Sequence, residues 1–318
     1  MAFVNMWRWE LHTVNFDVVG DVHGQFDKLI ALLTHLGYRE TGGTWRHPSR
    51  SVIFVGDLID RGPKQLATVA LVRRMVEAGS GRCIMGNHEF NAIAWATPDP
   101  KLPGEFLRPH GKPGNLQQHQ AFLSEVQGTP EYGEVIAWFK TLPLWLDLGG
   151  IRVVHACWHQ ASMDQLQPLM WQNQTLTDEL VVLGSRKGHW AYEAIEVICK
   201  GIEVPLPPGI SFRDKEGKVR HEVRVQWWLE DLSTYRKAAI GPPGDMKMIP
   251  DMPLPAEWKG FRYSGPQVIF GHYWLRGAPA IRSPRFACVD YSVANDGPLA
   301  AYRWDGEPEL SSEKLAWL

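Results

Sequence analysis

Five short segments carry the residues best suited to chemistry. They are G-D-V-H-G (Gly20 to Gly24), G-D-L-I-D-R-G (Gly56 to Gly62), G-N-H-E (Gly86 to Glu89), V-H-A (Val154 to Ala156) and G-H (Gly271-His272). Asp21 and His23 stand two residues apart, so both side chains can face one point. Carboxylate and imidazole without thiolate is a donor set for manganese, iron, zinc and similar ions. Asp57 offers a carboxylate able to bridge two such ions, and Asn87, His155 and His272 offer neutral ligands for the second. Two cations so held clamp a phosphate, lower the pKa of a shared water and set it for in-line attack. Arg61 adds a planar, permanently charged fork for phosphate oxygens. His88, beside Asn87, is close to the ions yet free to act as a general acid, with Asp60 to orient it through a hydrogen bond.

The elements that must position these residues can be read from hydrophobic period. Asn15 to Val19 (N-F-D-V-V) predicts a strand ending at Gly20-Asp21. Gln25 to Gly37 carries apolar residues at helical spacing, with Gly37 as its stop. Ser51 to Val55 predicts a second strand, Pro63 to about Ala78 a second helix opened by proline, and Arg82 to Met85 a third strand. This alternation is the pattern of parallel βαβ units, whose ligand crevice lies at the carboxyl ends of the strands. Further on, Asn115 to Val126 and Glu131 to Phe139 predict helices, and Leu144 to Val154 a hairpin ending at His155. Ala191 to Lys200 predicts another helix. A hairpin turning at Lys215 to Gly217 and one alternating strand over Val219 to Trp228 are expected next. Gln267 to Phe270, Arg285 to Val289 and Leu299 to Trp304 close the chain as strands.

Composition bounds the rest. The 318 residues include 33 Lys+Arg and 35 Asp+Glu, a net charge of −2, with 44% hydrophobic and 21% charged residues. That is the balance of a packed globular chain, and it argues against bulk nucleic-acid binding, which needs a basic surface. No apolar run reaches the roughly 18 residues of a membrane helix. Met1 to Leu11 is broken by Arg8 and Glu10, unlike a signal peptide. The four cysteines are scattered and form no C-x-x-C pair, so neither a disulfide framework nor a thiolate zinc site is expected, and a reducing cytoplasm is the simplest compartment.

In this order and spacing, the five segments resemble the calcineurin-like metallophosphoesterases, and within them the phosphoprotein-phosphatase branch. That branch includes bacterial serine/threonine phosphatases and diadenosine tetraphosphate hydrolases. The resemblance covers about Phe16 to Met163 and Gln267 to Trp304. It implies an α/β fold with a central β-sandwich flanked by helices, four layers αββα, and the site at the strand ends. It implies that Asp21 and His23 bind one metal, Asp57 bridges, and Asn87, His155 and His272 complete the other. His88 would protonate the leaving oxygen, paired with Asp60, and Arg61 would hold the phosphate. The cofactors would be two divalent or trivalent ions, manganese first, with iron, zinc, nickel or cobalt as alternatives. Water would attack directly, with no covalent phospho-enzyme.

The expected organisation is one metallophosphoesterase domain over 1–318 with a variable insertion at about 158–265. The leading expectation for the substrate is a phosphomonoester, phosphoserine or phosphothreonine in proteins. The alternative is a diadenosine polyphosphate or other nucleotide, and a second alternative is an inactive phosphate-binding scaffold. Symmetrical diadenosine tetraphosphate hydrolases usually lack an acid at the position of Asp60. The intact set of ligands speaks against the scaffold. A second phosphate-binding cation is expected before Gly271, with Lys200, Arg213, Arg220, Arg224 and Arg236 as candidates. Cys157, after His155, reads as a small packed residue more readily than as a reactive thiol. His119 and His159 read as polar surface. Most of the 15 tryptophans read as core, with base stacking by Trp227, Trp228 or Trp274 the minority reading.

Overall fold

The strand–helix alternation of the first third is realised almost as expected. The computed structural model describes residues 15–213, 219–229, 232–241, 246–255 and 263–318. It opens with β1 (Asn15–Val19), α1 (Phe26–Leu36), a small hairpin of β2 (Arg39–Thr41) and β3 (Thr44–Arg46), then β4 (Arg50–Phe54), α2 (Gln65–Glu77), β5 (Gly81–Cys83) and α3 (Asn87–Ala96). Helix α1 buries Leu29, Leu32, Leu33 and Leu36 on one face and stops at Gly37, whose left-handed φ of 97° returns its N–H to the last turn. Helix α2 begins two residues after Pro63, because the Glu125 carboxylate accepts the N–H groups of Gln65 at 2.7 Å and Leu66 at 2.9 Å and sets the first turn there.

The chain continues through α4 (Pro113–Val126), α5 (Pro130–Phe139) and the expected hairpin of β6 (Trp145–Asp147) and β7 (Ile151–Val154). Next come α6 (Gln160–Leu166), α7 (Asp178–Gly184), α8 (Trp190–Lys200) and β8 (Glu203–Pro205). The stretch expected as one strand over Val219 to Trp228 is instead two. β9 (Phe212–Arg213) pairs with β10 (Val219–Arg220), and β11 (Glu222–Arg224) pairs with β8. Trp227 and Trp228 follow β11 as buried core residues packed on Phe270. The turn at Lys215 to Gly217 and the segment Met1 to Leu11 lie outside the described residues. A short α9 (Tyr235–Ala238) precedes β12 (Gln267–Phe270), β13 (Phe286–Cys288), β14 (Ala300–Trp304) and β15 (Leu315–Trp317).

Two mixed sheets result. One has the order β15-β14-β1-β4-β5, with β1, β4 and β5 parallel; the other has the order β13-β12-β7-β6, with β7, β12 and β13 parallel. Period two divides each strand between layers. Val18, Ile53 and Ile84 join Ile151, Val153 and Ile269 in one cluster between the sheets. Val19, Phe54, Val154 and Phe270 face the other way, into a cluster with the helices. This is the expected sandwich flanked by helices. Buried side chains of the 158–265 stretch, such as Ile195, Val223 and Trp227, belong to the helix-side cluster as well.

Register is what gathers the site. Val19 pairs with Phe54 and Phe54 with Cys83; Val154 pairs with Phe270 and Phe270 with Cys288. The residues that follow each strand therefore emerge along one edge of the sandwich. Two of these loops nearly touch. Gly56 has φ of +92°, and a Cβ there would meet the Gly86 nitrogen at 2.3 Å. Gly56→Ala should therefore destabilise the protein by about 2 kcal/mol or more, combining left-handed strain with overpacking against backbone. Urea denaturation measures it, and an unchanged midpoint would show that the loops can separate freely.

Candidate metal centre

The strand ends deliver buried carboxylates and imidazoles to one place. Asp57, after β4, sits in the middle. Its Oδ1 accepts the backbone N–H of His88 at 3.0 Å and lies 3.4 Å from His155 Nε2; its Oδ2 lies 3.8 Å from both His23 Nε2 and His88 Nε2. Two groups can each hold an ion: His23, Asp57 and His88, and Asp57, His155 and His272, with ligand atoms within 4.8 Å of one another in each. Asp57 is shared. Asp21 stands alongside, its two oxygens accepting the His272 N–H at 3.1 and 3.2 Å. Asn87, first residue of α3, places Oδ1 3.3 Å from His155 Nε2. Arg61 is exposed at the rim and brings Nη1 to 3.1 Å from His23 Nε2. Asp21, His23, Asp57, Asn87, His88, His155 and His272, with Arg61 at the rim, are thus together at this edge. His88 differs from expectation in also lying within one of the two ion-holding groups.

Local structure explains the aim of each ring. His23 Nδ1 donates to the Ile59 carbonyl at 2.9 Å and His155 Nδ1 to the Val55 carbonyl at 2.7 Å. In each, Nε2 faces Asp57 and is the nitrogen that a bound ion would take in place of a proton, the arrangement found behind metal-binding histidines. His88 is held differently, with Nδ1 2.5 Å from Asp60 Oδ2. The backbone is strained here. Of nine non-glycine residues with positive φ among the described residues, six are His23, Asp57, Asp60, Arg61, His272 and Trp274. Such strain persists only where surrounding contacts over-determine it.

Charge and burial set the protonation. Burial, with Asp290 and Asp57 nearby, pushes the Asp21 carboxyl well above the usual carboxylate range. Burial acts the same way on Asp57, but His155 and His88 outweigh it and hold its carboxyl well below that range. His155 is raised to about 10: burial disfavours its charge, and Asp57 more than compensates. His23 is lowered to about 3 by burial, Arg61 and His88. Asp60 falls to about 2 despite burial, through hydrogen bonds from His119 and His88. Burial and the Arg224 charge push His272 well down.

The residues fit a pair of cations. His272 is buried, and neither ring nitrogen has a hydrogen-bond partner among the described residues, although a buried imidazole needs one. A Cβ at Gly271 would meet Asp21 Oδ1 at 2.0 Å, so glycine is what lets this carboxylate approach His272. Oxygen and imidazole donors around a shared carboxylate suit two ions of the transition series.

Three supporting residues escaped the sequence reading. Glu89 is buried and accepts N–H groups from Asp57 at 2.8 Å, Leu58 at 2.8 Å and Gly86 at 2.9 Å, tying two loops together. Asp290, just beyond β13, accepts the N–H of Trp274 at 2.7 Å and of Ser292 at 2.9 Å. His119, expected at the surface, is buried against Asp60. Asp290 was findable, since it follows a strand as Asp21 and Asp57 do, and so was Glu89, which stands in G-N-H-E at the capping position of α3; His119 had no comparable local signal. His159 caps α6 by accepting the Ser162 N–H. Cys157 is fully buried, and burial pushes its thiol pKa well up, in line with the packed reading.

Mixed sheets flanked by helices, with buried His/Asp clusters at the strand ends, are the architecture of a metal-dependent phosphoesterase. The chain belongs to the calcineurin-like phosphoesterases, whose family model matches residues 14–204. It is similar to a symmetrical bis(5'-nucleosyl)-tetraphosphatase of Ralstonia nicotianae, 31% identical over 272 residues, 81% of this chain and 79% of that protein. It is also similar to an asymmetrical bis(5'-nucleosyl)-tetraphosphatase of Halalkalibacterium halodurans, 45% identical over 76 residues. That match spans 24% of this chain and 31% of the relative's own length. Among solved structures it is similar to a cold-active protein tyrosine phosphatase, with TM-score 0.49 and 17% identity, over 93% of this chain and 78% of that one.

Asp57→Asn should lose bound metal and phosphoesterase activity together, because the exchanged amide removes the shared anion. Elemental analysis alongside p-nitrophenyl phosphate hydrolysis measures this, and full activity with full metal content would remove Asp57 as the shared ligand.

Proposed function

We propose that this phosphoesterase hydrolyses nucleoside polyphosphates of the diadenosine tetraphosphate class, in a single domain that carries the 158–265 stretch as an insertion. The observation that carries this is the similarity to a bis(5'-nucleosyl)-tetraphosphatase along 79% of that relative. It favours the nucleotide alternative over the phosphoprotein reading that the motifs first suggested. In the proposed site, Asp21, His23, Asp57, Asn87, His155 and His272 hold two ions, with manganese the first choice. The ions when bound supply Lewis acidity and an activated water. Arg61 holds phosphate oxygens at the rim. His88, oriented by Asp60, gives a proton to the leaving oxygen.

For the second cation, Arg224 is the best of the candidates. Its charge acts on His272, its Nε and Nη1 are buried without a partner among the described residues, and its Nη2 donates to Glu203 at 2.9 Å. Lys200 is tied to Glu196, and Arg236 donates to the Ile249 carbonyl. The Arg224 guanidinium also lies 5.0 Å from the ring centre of Trp274, which is 38% exposed and 5.8 Å from the His272 ring. An exposed indole backed by arginine beside a phosphate site is suited to stack on a base.

A second reading keeps phosphomonoesters, because Asp60 gives His88 the support that a basic alkoxide leaving group demands. A panel comparing diadenosine tetraphosphate with phosphoserine and phosphothreonine peptides separates the two. We expect the nucleotide to have the higher kcat/KM with Mn²⁺, and a preference for the peptides would overturn the proposal. Chelation should abolish turnover of every substrate, and metal-independent turnover would sink the mechanism. Trp274→Ala should raise KM for diadenosine tetraphosphate by about 5–100-fold, the worth of one stacked base, with p-nitrophenyl phosphate scarcely affected. Equal effects on both would remove the stacking role.

A further inference from the structure

His119 lies on α4, 59 residues from Asp60 in sequence, yet its Nδ1 is 2.9 Å from Asp60 Oδ1. The other oxygen of the same carboxylate, Oδ2, is 2.5 Å from His88 Nδ1. Asp60 is thus gripped at both oxygens, by one imidazole on the reaction side and one on the far side. We propose that His119 is a positioning residue for proton donation: it locks the Asp60 carboxylate so that His88 presents its Nε2 to the leaving oxygen. This rests on the reading of His88 as proton donor.

The chemistry of His119 is fully determined by its surroundings. It is 1% exposed, with its ring packed on Trp95 and Phe122 at centroid distances of 5.8 and 5.0 Å. Its Nε2 is buried with no partner among the described residues. A proton on Nε2 would be a buried donor with no acceptor, which costs far more than a bare lone pair. The single proton therefore sits on Nδ1 and is donated to Asp60. His119 is in neither ion-holding group, and its side-chain hydrogen bond among the described residues goes to Asp60, so the route to His88 runs through that carboxylate.

Asp60 needs this second grip. Its backbone holds φ of +70°, a conformation that is costly for a non-glycine residue unless contacts enforce it. Its own N–H is taken by Gln65 Oε1 at 2.7 Å, which fixes the backbone but not the carboxylate torsion. With only His88 attached, the carboxylate could rotate about its terminal bond, a broad torsion with low barriers. His119 removes that freedom.

The test compares a poor and a good leaving group in the Mn²⁺-loaded full chain. Phenyl phosphate needs a proton on its leaving oxygen; p-nitrophenyl phosphate departs readily without one. His119→Phe keeps the volume and removes the donor. We expect kcat on phenyl phosphate to fall about 10–100-fold, the worth of one hydrogen bond to a charged group, with kcat on p-nitrophenyl phosphate and both KM values nearly unchanged. His119→Asn, whose amide can donate from the Nδ1 position, should restore most of the loss. If His119→Phe does not fold, His119→Gln, whose amide reaches past Asp60, takes its place. Equal losses on both esters, or none on either, would overturn the proposal. His88→Asn is the control. If it loses phenyl phosphate turnover selectively and the His119 variants do not, the positioning role fails while the proton-donor reading stands. If it slows both esters alike, the proton-donor reading fails and the role of His119 falls with it.

Discussion

Asp57 is the interaction on which the rest of the site depends. A carboxylate removed from water must be met by hydrogen bonds and opposite charge, or it gives up its own. Asp57 is met from both sheets at once. His23 follows β1, His88 follows β5, and His155 follows β7 in the facing sheet, and all lie within 3.8 Å of its oxygens. Slipping any one of these strands by a residue would turn its end to the other face and break the set. The register pairs Val19–Phe54 and Val154–Phe270 are therefore requirements of the site as much as of the sandwich.

Bringing loops this close strains them. His23, Asp57, Asp60, Arg61, His272 and Trp274 all hold positive φ, at about 1–3 kcal/mol each by general experience. The compensation is visible around them. Glu89 accepts three backbone N–H groups from two loops, and Asp290 accepts the N–H of Trp274, the residue strained next to the β12 end. Both acids are buried and accept backbone N–H groups. The carboxylates thus divide into those that present oxygens to the site and those that keep its backbone in place.

That division explains what was legible in the sequence. Strands β1, β4 and β12, helices α1 and α8 and the gathering of the nine proposed site residues at the strand ends could be read from apolar period, glycine stops and short motifs, because each signal is local. His119 could not, since the carboxylate it serves is 59 residues away and Q-Q-H-Q on a helix looks solvent-facing. Glu89 sat inside a recognised motif, but two of its three partners, Asp57 and Leu58, belong to the other loop. The Val219 to Trp228 stretch misled because alternation reports which faces are buried and not which partner pairs. Here β10 and β11 have different partners, and the two tryptophans pack on each other and on Phe270. Trp274 became distinguishable from them only through exposure, which residue type does not encode.

The two unusual features of the site bear on substrate choice together. The set proposed to donate the proton, His88 with Asp60 and His119, gathers beside His23. Trp274 and Arg224 gather beside His272, in the other ion-holding group. In an in-line displacement the leaving group departs on the side of the proton donor. A simple phosphomonoester carries no substituent apart from that leaving group, so nothing of it would reach Trp274. An internal phosphorus of a dinucleoside polyphosphate is different, because it keeps one nucleoside on the retained half while the other departs. On the proposed reading, Trp274 and Arg224 hold the retained half and His88 serves the departing one, so that both features are used in a single turnover.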